Sequence, residues 1–227
     1  MSVGEMDMAI SSFRARYMVR PADTTDLVRQ AYQLRHQVYC LERGYEPDKG
    51  GLERDEFDAY AQHAVVCERR SGEVVGTVRL ILPDDDAARV LPIQQLCAPE
   101  LLDMLPLGTT AEVSRFAVSK QRRDWNTAAD PLLRLGLVQG AVRLSRDLGI
   151  THWCAVMERS LLRLLRTTAI HFAPVGPCVE HHGLRQPAIA DLGALLARME
   201  RDQPALWGLV TDDGRFWPGE LEYSEAA

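Results

Sequence analysis

The stretch Thr109–Lys120, TTAEVSRFAVSK, decides how the chain is read. Its Ala, Val and Phe residues describe a buried β-strand, yet Glu112 and Arg115 sit inside it. Side chains alternate faces along a strand, so two residues three apart point to opposite sides when the strand is regular. Burying either charge without a partner costs several kcal/mol. The strand must therefore find partners for its charges or border a cleft. An irregularity around Ser114 to Phe116 would change which way both charges face.

Working outward, the segment SKQRRDW follows the strand and concentrates Lys120, Arg122 and Arg123. Next comes DPLLRLGLVQGAVRLSRDLG, a helix with Asp130 as N-cap, Pro131 at the first turn and Gly149 at the exit. Gly136 and Gly140 lie one turn apart, so either a strand or a ligand can approach this helix closely. ITHWCAVM then reads as a strand, ERSLLRLLRTT as a helix, AIHFAPV as a strand and PAIADLGALLARMERD as a helix. This alternation points to an α/β sheet covered by helices.

Upstream, RYMVR reads as a short strand, and TTDLVRQAYQLRHQVYCLERG as an amphipathic helix capped by Thr24 or Thr25 and stopped at Gly44. EPDKGGLERDEFDAYAQ is polar, acidic and rich in turn formers, which predicts an exposed loop. Its Asp55 and Asp58 are possible partners for Arg115 or Arg35. HAVVCERRSGEVVGTVRLIL reads as a hairpin around Ser71 and Gly72, with Arg79 on its second strand as a possible partner for Glu112. A purely structural ion-pair network accounts for these charges as well as a catalytic site does.

The 227 residues carry no repeat or low-complexity linker, so one domain spanning 1–227 is expected. Apolar residues make up 46% and charged residues 26%, the balance of a packed domain rather than a disordered chain. The N-terminal MSVGEMDMAI lacks the basic region of a signal peptide, and no run of about 18 apolar residues occurs, so a cytoplasmic protein with no transmembrane segment is expected. A net charge of -6 argues against nucleic acid as the main partner. Five scattered cysteines form no C-x-x-C pair, and His181 and His182 lack further ligands, so no metal site is expected.

Taken together and in this order, YQLRHQVYCLERGY, ERDEFDAYAQH, GTVRL and AEVSRFAVSK resemble the GNAT-type acyltransferases that include acyl-homoserine-lactone synthases and long-chain N-acyl amino acid synthases. The C-terminal half, from LGLVQG to LRQP, resembles the PEP-CTERM/exosortase system-associated acyltransferases, related to the N-acyl amino acid synthases. The resemblance implies a GNAT-like mixed central β-sheet with helices on both faces, and transfer of a long-chain fatty acyl group from acyl carrier protein to an amino acid. Arg35, Asp55, Asp58, Arg79, Glu112 and Arg115 match the charged set of the lactone synthases, and Tyr39 matches their aromatic position. Tyr45 stands where a tryptophan commonly follows the helix, a departure that bears on S-adenosylmethionine binding.

Acyl transfer to an α-amino group, whose ordinary pKa is about 8, needs only a modestly strong base. Glu112 is the candidate, acting directly or through a water. In GNAT-type folds a bulge in this strand frees a backbone N–H toward the thioester carbonyl, which assigns that role to the Ser114–Phe116 region, with Ser114 and Arg115 beside Glu112 in the catalytic set. Lys120, Arg122 and Arg123 are candidates for the phosphopantetheine phosphate and the acidic carrier protein, in place of the glycine-rich loop the family commonly has. Arg185 and Arg79 are candidates for the amino-acid carboxylate. Apolar residues between Leu132 and Leu148, with Trp153, would line the acyl chain. No bound cofactor is expected beyond the donor's acyl-phosphopantetheine. A lactone synthase using S-adenosylmethionine, or a catalytically silent module binding acyl carrier protein, are the competing readings.

Overall fold

A computed structural model describes residues 3–48, 50–82, 90–103, 105–118 and 129–217. In chain order the helices are α1 (Val3–Arg16), α2 (Thr25–Arg35), α3 (Pro92–Leu96), α4 (Ala129–Asp147), α5 (Arg159–Arg166), α6 (Leu192–Asp202) and α7 (Pro204–Thr211). The strands are β1 (Tyr17–Pro21), β2 (Ala61–Glu68), β3 (Val74–Ile81), β4 (Thr110–Val118), β5 (His152–Met157), β6 (Ala173–Pro174), β7 (Val179–Glu180) and β8 (Leu184–Asp191). The described chain divides into two compact units, Met1–Leu80 with Arg115–Leu144, and Ile81–Ser114 with Ser145–Ala227.

In the first unit β1 pairs antiparallel with β2, from Tyr17 opposite Glu68 to Pro21 opposite Ala64. Two helices cover opposite faces of this sheet. Leu27, Ala31 and Leu34 of α2 pack with Val65, Cys67 and Val74. On the other side α4 presents Gly136 and Gly140 to β1 and β2. A Cβ at Gly140 would lie 2.6 Å from the Ala64 Cβ, and one at Gly136 would lie 3.3 Å from both Val19 and Val66. Ala64 and Val65 are adjacent in β2, so α2 and α4 must lie on different faces. In this unit the two glycines serve the approach of strands.

The second unit combines both strand directions. Thr110, Ala111 and Glu112 of β4 run parallel to His152, Trp153 and Cys154 of β5. β5 in turn pairs antiparallel with β8, Trp153 opposite Ala190. The sheet is therefore mixed, as expected for a GNAT-like α/β fold.

Three readings of the sequence change. PAIAD, residues 187–191, is not helical: it belongs to β8, because pairing with β5 overrides the helix propensity of its alanines. The helix starts only at Leu192, where the Asp191 side chain accepts from the Ala194 N–H at 2.9 Å. AIHFAPV contributes just Ala173 and Pro174 to the sheet, opposite Ile189 and Ala188. The acidic segment is not wholly an exposed loop, since it contains a 3-10 turn over Glu56–Tyr60 and a buried Glu53. The helix capped at Thr24 is present, but it continues after Arg35 as a π-helical segment, His36–Glu42.

Because the Gly140 contact is with backbone-anchored Ala64, Gly140→Ala should lower stability by about 1–3 kcal/mol in urea unfolding, the usual cost of overpacking. Gly4→Ala, which meets open space in α1, should lower it not at all.

Candidate active site

Arg35 ends α2 on the same buried side as Leu34, and is fully removed from solvent. The loop that follows is pinned to α2 by the Glu53 N–H, which donates to the Tyr32 carbonyl at 3.1 Å. Two residues on, Asp55 caps the 3-10 turn. Its Oδ1 accepts from the Phe57 N–H at 3.0 Å, while Asp58 Oδ2 accepts from the Asp55 N–H at 2.8 Å. Backbone hydrogen bonds thus set the direction of the loop's carboxylates before any arginine is considered. β3 brings Arg79 and β4 brings Arg115.

The six charges close into a ring of alternating sign. Arg35 donates from Nη1 and Nη2 to the two oxygens of Asp58, at 2.7 and 2.9 Å, and from Nε to Glu53. Arg115 takes the other side of Glu53, with Nη2 at 2.8 Å from Oε1, and reaches Asp55 Oδ2 at 2.9 Å. Arg79 grips Asp55 through both Nη atoms and returns to Asp58 Oδ1 at 2.9 Å. Paired, fork-shaped contacts of this kind are the strong form of a charged hydrogen bond. Exposure is near zero for the Arg35 and Arg79 side chains, and rises to 15% at Arg115 and 25% at Asp55, the ring's open edge.

Burial alone would raise the Asp58 carboxyl, but hydrogen bonds from Arg35 and the charges of Arg35 and Arg79 hold it well below the usual range. Glu53 is likewise pushed up by burial and brought down by Arg35 and Arg115. Burial lowers Arg35, but Asp58 and Glu53 more than reverse this. All three groups are held ionised.

Glu112 belongs to the second unit, on β4, and is 3% exposed. Its Oε2 accepts from the Ile93 N–H at 2.7 Å, at the start of α3. After burial, its charge is the next cause raising the Cys154 thiol, and it does the same to Cys97. Three residues along β4, Arg115 has φ 47°. The irregularity expected between Ser114 and Phe116 is therefore present, and Ser114 is half-buried beside it. A left-handed backbone costs an L-residue about 1–2 kcal/mol, so this conformation must be held by its surroundings. Tyr39, in the π-helical segment, donates its hydroxyl to the Phe116 carbonyl at 3.5 Å and lies under the Arg115 guanidinium, 5.2 Å from ring centroid to Cζ.

Of the other candidates, Arg185 lies on β8 with Nη2 3.3 Å from Glu158 Oε1. Trp153 is a core residue, its indole N–H donating to Ser145 Oγ at 2.9 Å and its ring stacked on Phe172. The His181 and His182 rings meet at 4.6 Å, and no group able to hold a metal occurs among the described residues. Lys120, Arg122 and Arg123 lie outside the described residues.

Two members of the site were not read from the sequence. Glu53 lies in the segment read as an exposed loop, two residues before Asp55, and no spacing in the sequence marks it. His63, on β2, is 5% exposed; its Nε2 lies 3.4 Å from Asp58 Oδ1, and among the described residues neither ring nitrogen finds a hydrogen-bond partner. Burial, then the Arg35 charge, pushes its pKa down to about 4.

This imidazole makes stability depend on pH. Between the ordinary value of 6.5 and about 4 the unfolded chain binds a proton that the folded protein refuses, so stability rises with pH across that window and is lost as pH falls. The slope should approach roughly 1.4 kcal/mol per pH unit in urea titrations. His63→Phe should flatten it, leaving the further loss below pH about 4 that comes from protonating Asp58 and Glu53. An unchanged slope would place the effect elsewhere.

The acetyltransferase (GNAT) domain family matches residues 34–130, a span containing all six ring members and Glu112. Among solved structures, the AHL synthase LasI aligns with a TM-score of 0.63 at 20% identity, over 85% of this chain and 95% of that chain. The CoA-dependent acyl-homoserine lactone synthase BjaI gives 0.63 at 22% identity, over 88% and 89%. FeeM, an N-acyl amino acid synthase from uncultured soil microbes, gives 0.62 at 16% identity, over 81% and 94%. No curated protein sequence matches the chain. Residues 34–130 thus match the acetyltransferase (GNAT) domain family, and the chain shares its fold with these acyl-homoserine-lactone and N-acyl amino acid synthase structures.

Proposed function

We propose that the protein is an N-acyltransferase that moves a long-chain fatty acyl group from acyl carrier protein to the α-amino group of an amino acid. The observation that carries this reading is the left-handed Arg115 inside the strand that also holds the buried Glu112. In this scheme Glu112 takes a proton from the acceptor's ammonium, directly or through one water. The free amine attacks the thioester carbonyl, and a backbone N–H of the broken strand around Ser114–Phe116 stabilises the oxyanion. The C–S bond then breaks, the attacking nitrogen gives its second proton to the leaving pantetheine sulfur, and Glu112 returns the first to solvent.

The donor's phosphate and the carrier's acidic surface would be met by Lys120, Arg122 and Arg123. Arg79 is held by Asp55 and Asp58 at 1% exposure, whereas Arg185, 3.3 Å from Glu158, is 12% exposed, so we assign the acceptor carboxylate to Arg185. Such donors and acceptors are made in the cytoplasm, which supports a cytoplasmic location. No described helix is long and apolar enough to cross a membrane. The PEP-CTERM/exosortase association rests on the motifs of the C-terminal half.

A second reading, a lactone synthase using S-adenosylmethionine, is supported by likeness to LasI and BjaI and by the six matching charged positions. Purified protein given acyl carrier protein thioesters, mixed amino acids and S-adenosylmethionine should yield N-acyl amino acids by mass spectrometry. A lactone would replace the first reading with the second, and no product with any donor would favour a binding module. Glu112→Gln, which keeps the acceptor oxygen for Ile93, should lower kcat by about 100-fold or more, the usual loss of a general base.

A further inference from the structure

Among the described residues, five other than glycine have positive φ, and only Arg115 of these lies inside a strand. Glycine would adopt this conformation without penalty, and asparagine or aspartate could relieve it through a short local hydrogen bond. Arginine does neither. Its backbone must be held from outside, and the side chain shows how.

The Arg115 Nε lies 3.1 and 3.2 Å from the two oxygens of Glu53, and Nη2 binds Glu53 and Asp55. Nε is the guanidinium nitrogen closest to the backbone, so a grip there constrains the main chain more than one at the tip. Both carboxylates are themselves fixed, Glu53 through its N–H to the Tyr32 carbonyl and Asp55 through its cap on the 3-10 turn. Arg35 holds Glu53 from the opposite side, so the carboxylate cannot follow Arg115 if β4 relaxes. Glu53 is therefore the point at which the rigid end of α2 is tied to the irregular residue of β4.

We propose that Glu53 is a positioning residue that, with Asp55, holds Arg115 in its left-handed conformation and so keeps β4 broken for acyl transfer. The consequence for turnover rests on the function proposed above; the conformational coupling does not. On this account the ring's buried charges act on the reaction through the shape of β4. What matters at position 115 is the backbone, and the guanidinium serves as its handle.

The test is a cycle of Glu53→Gln, Arg115→Gly and the double variant, with Arg115→Ala alongside. Both substitutions at 115 delete the same charge, but only glycine keeps the left-handed backbone without strain. Arg115→Gly should retain about tenfold more kcat than Arg115→Ala, the factor that the left-handed strain implies. Glu53→Gln should lower kcat by about tenfold in the wild-type background with little change in acceptor KM. In the Arg115→Gly background it should cost less than about twofold, near the limit of additivity.

Equal penalties for Glu53→Gln in the two backgrounds, or equal activity of the glycine and alanine variants, would overturn the proposal. Thermal unfolding of the same proteins is read without any substrate, and the glycine variant should melt above the alanine variant. If no acyl transfer is found but this order and the coupling hold in the melts, the proposed reaction fails and the role of Glu53 stands. A reversed order of melting overturns it.

Discussion

Three guanidinium groups and three carboxylates removed together from water are the constraint on which the first unit depends. Each ion alone would cost several kcal/mol to bury, and attraction between the members repays this only when the geometry satisfies nearly every donor. Here it does so by closure. Within the ring each arginine meets two of its carboxylates and each carboxylate two of its arginines, so the formal charges of the six cancel, and Arg115 also lies 3.6 Å from Glu46 outside the ring. Four segments distant in sequence, the end of α2, the acidic loop, β3 and β4, must arrive together for that to happen. The ring therefore specifies an arrangement more than it adds net stability.

His63 marks the cost of this arrangement. With no hydrogen-bond partner among the described residues, this imidazole stays neutral next to the charged Asp58 and in the field of Arg35. Its neighbours Tyr32, packed edge-on at 5.5 Å, and Asp58 leave little room to rearrange. Acid therefore acts on the ring first through a group that is not one of its members.

Much of this was legible in the order of residues. Charges at Glu112 and Arg115 inside an apolar strand announced a site, and the acidic loop with Asp55 and Asp58 offered possible partners for arginines at 35 and 115. The irregular backbone followed from the same contradiction, since a regular strand could not serve both charges. Glu53 was hidden because composition reports that a loop is polar, and says nothing about which acid turns inward once a single N–H pins it to α2. His63 was hidden by its strand, where a lone histidine has no pattern. PAIAD misled for a related reason: its alanines favour a helix locally, and only pairing with β5, earlier in the chain, makes it a strand.

The central claim, that these charges form one closed unit, is tested most directly by a double-mutant cycle in stability between Arg35 and Asp58. Arg35→Met and Asp58→Leu should each cost about 3–5 kcal/mol in urea unfolding, because each leaves the buried ring with one uncompensated charge. The double variant should cost at least 1 kcal/mol less than the sum of the two, since the remaining charges of the ring then cancel again. Costs that simply add would show that the two residues act independently, and the ring would then be a coincidence of neighbours rather than the unit that shapes the site.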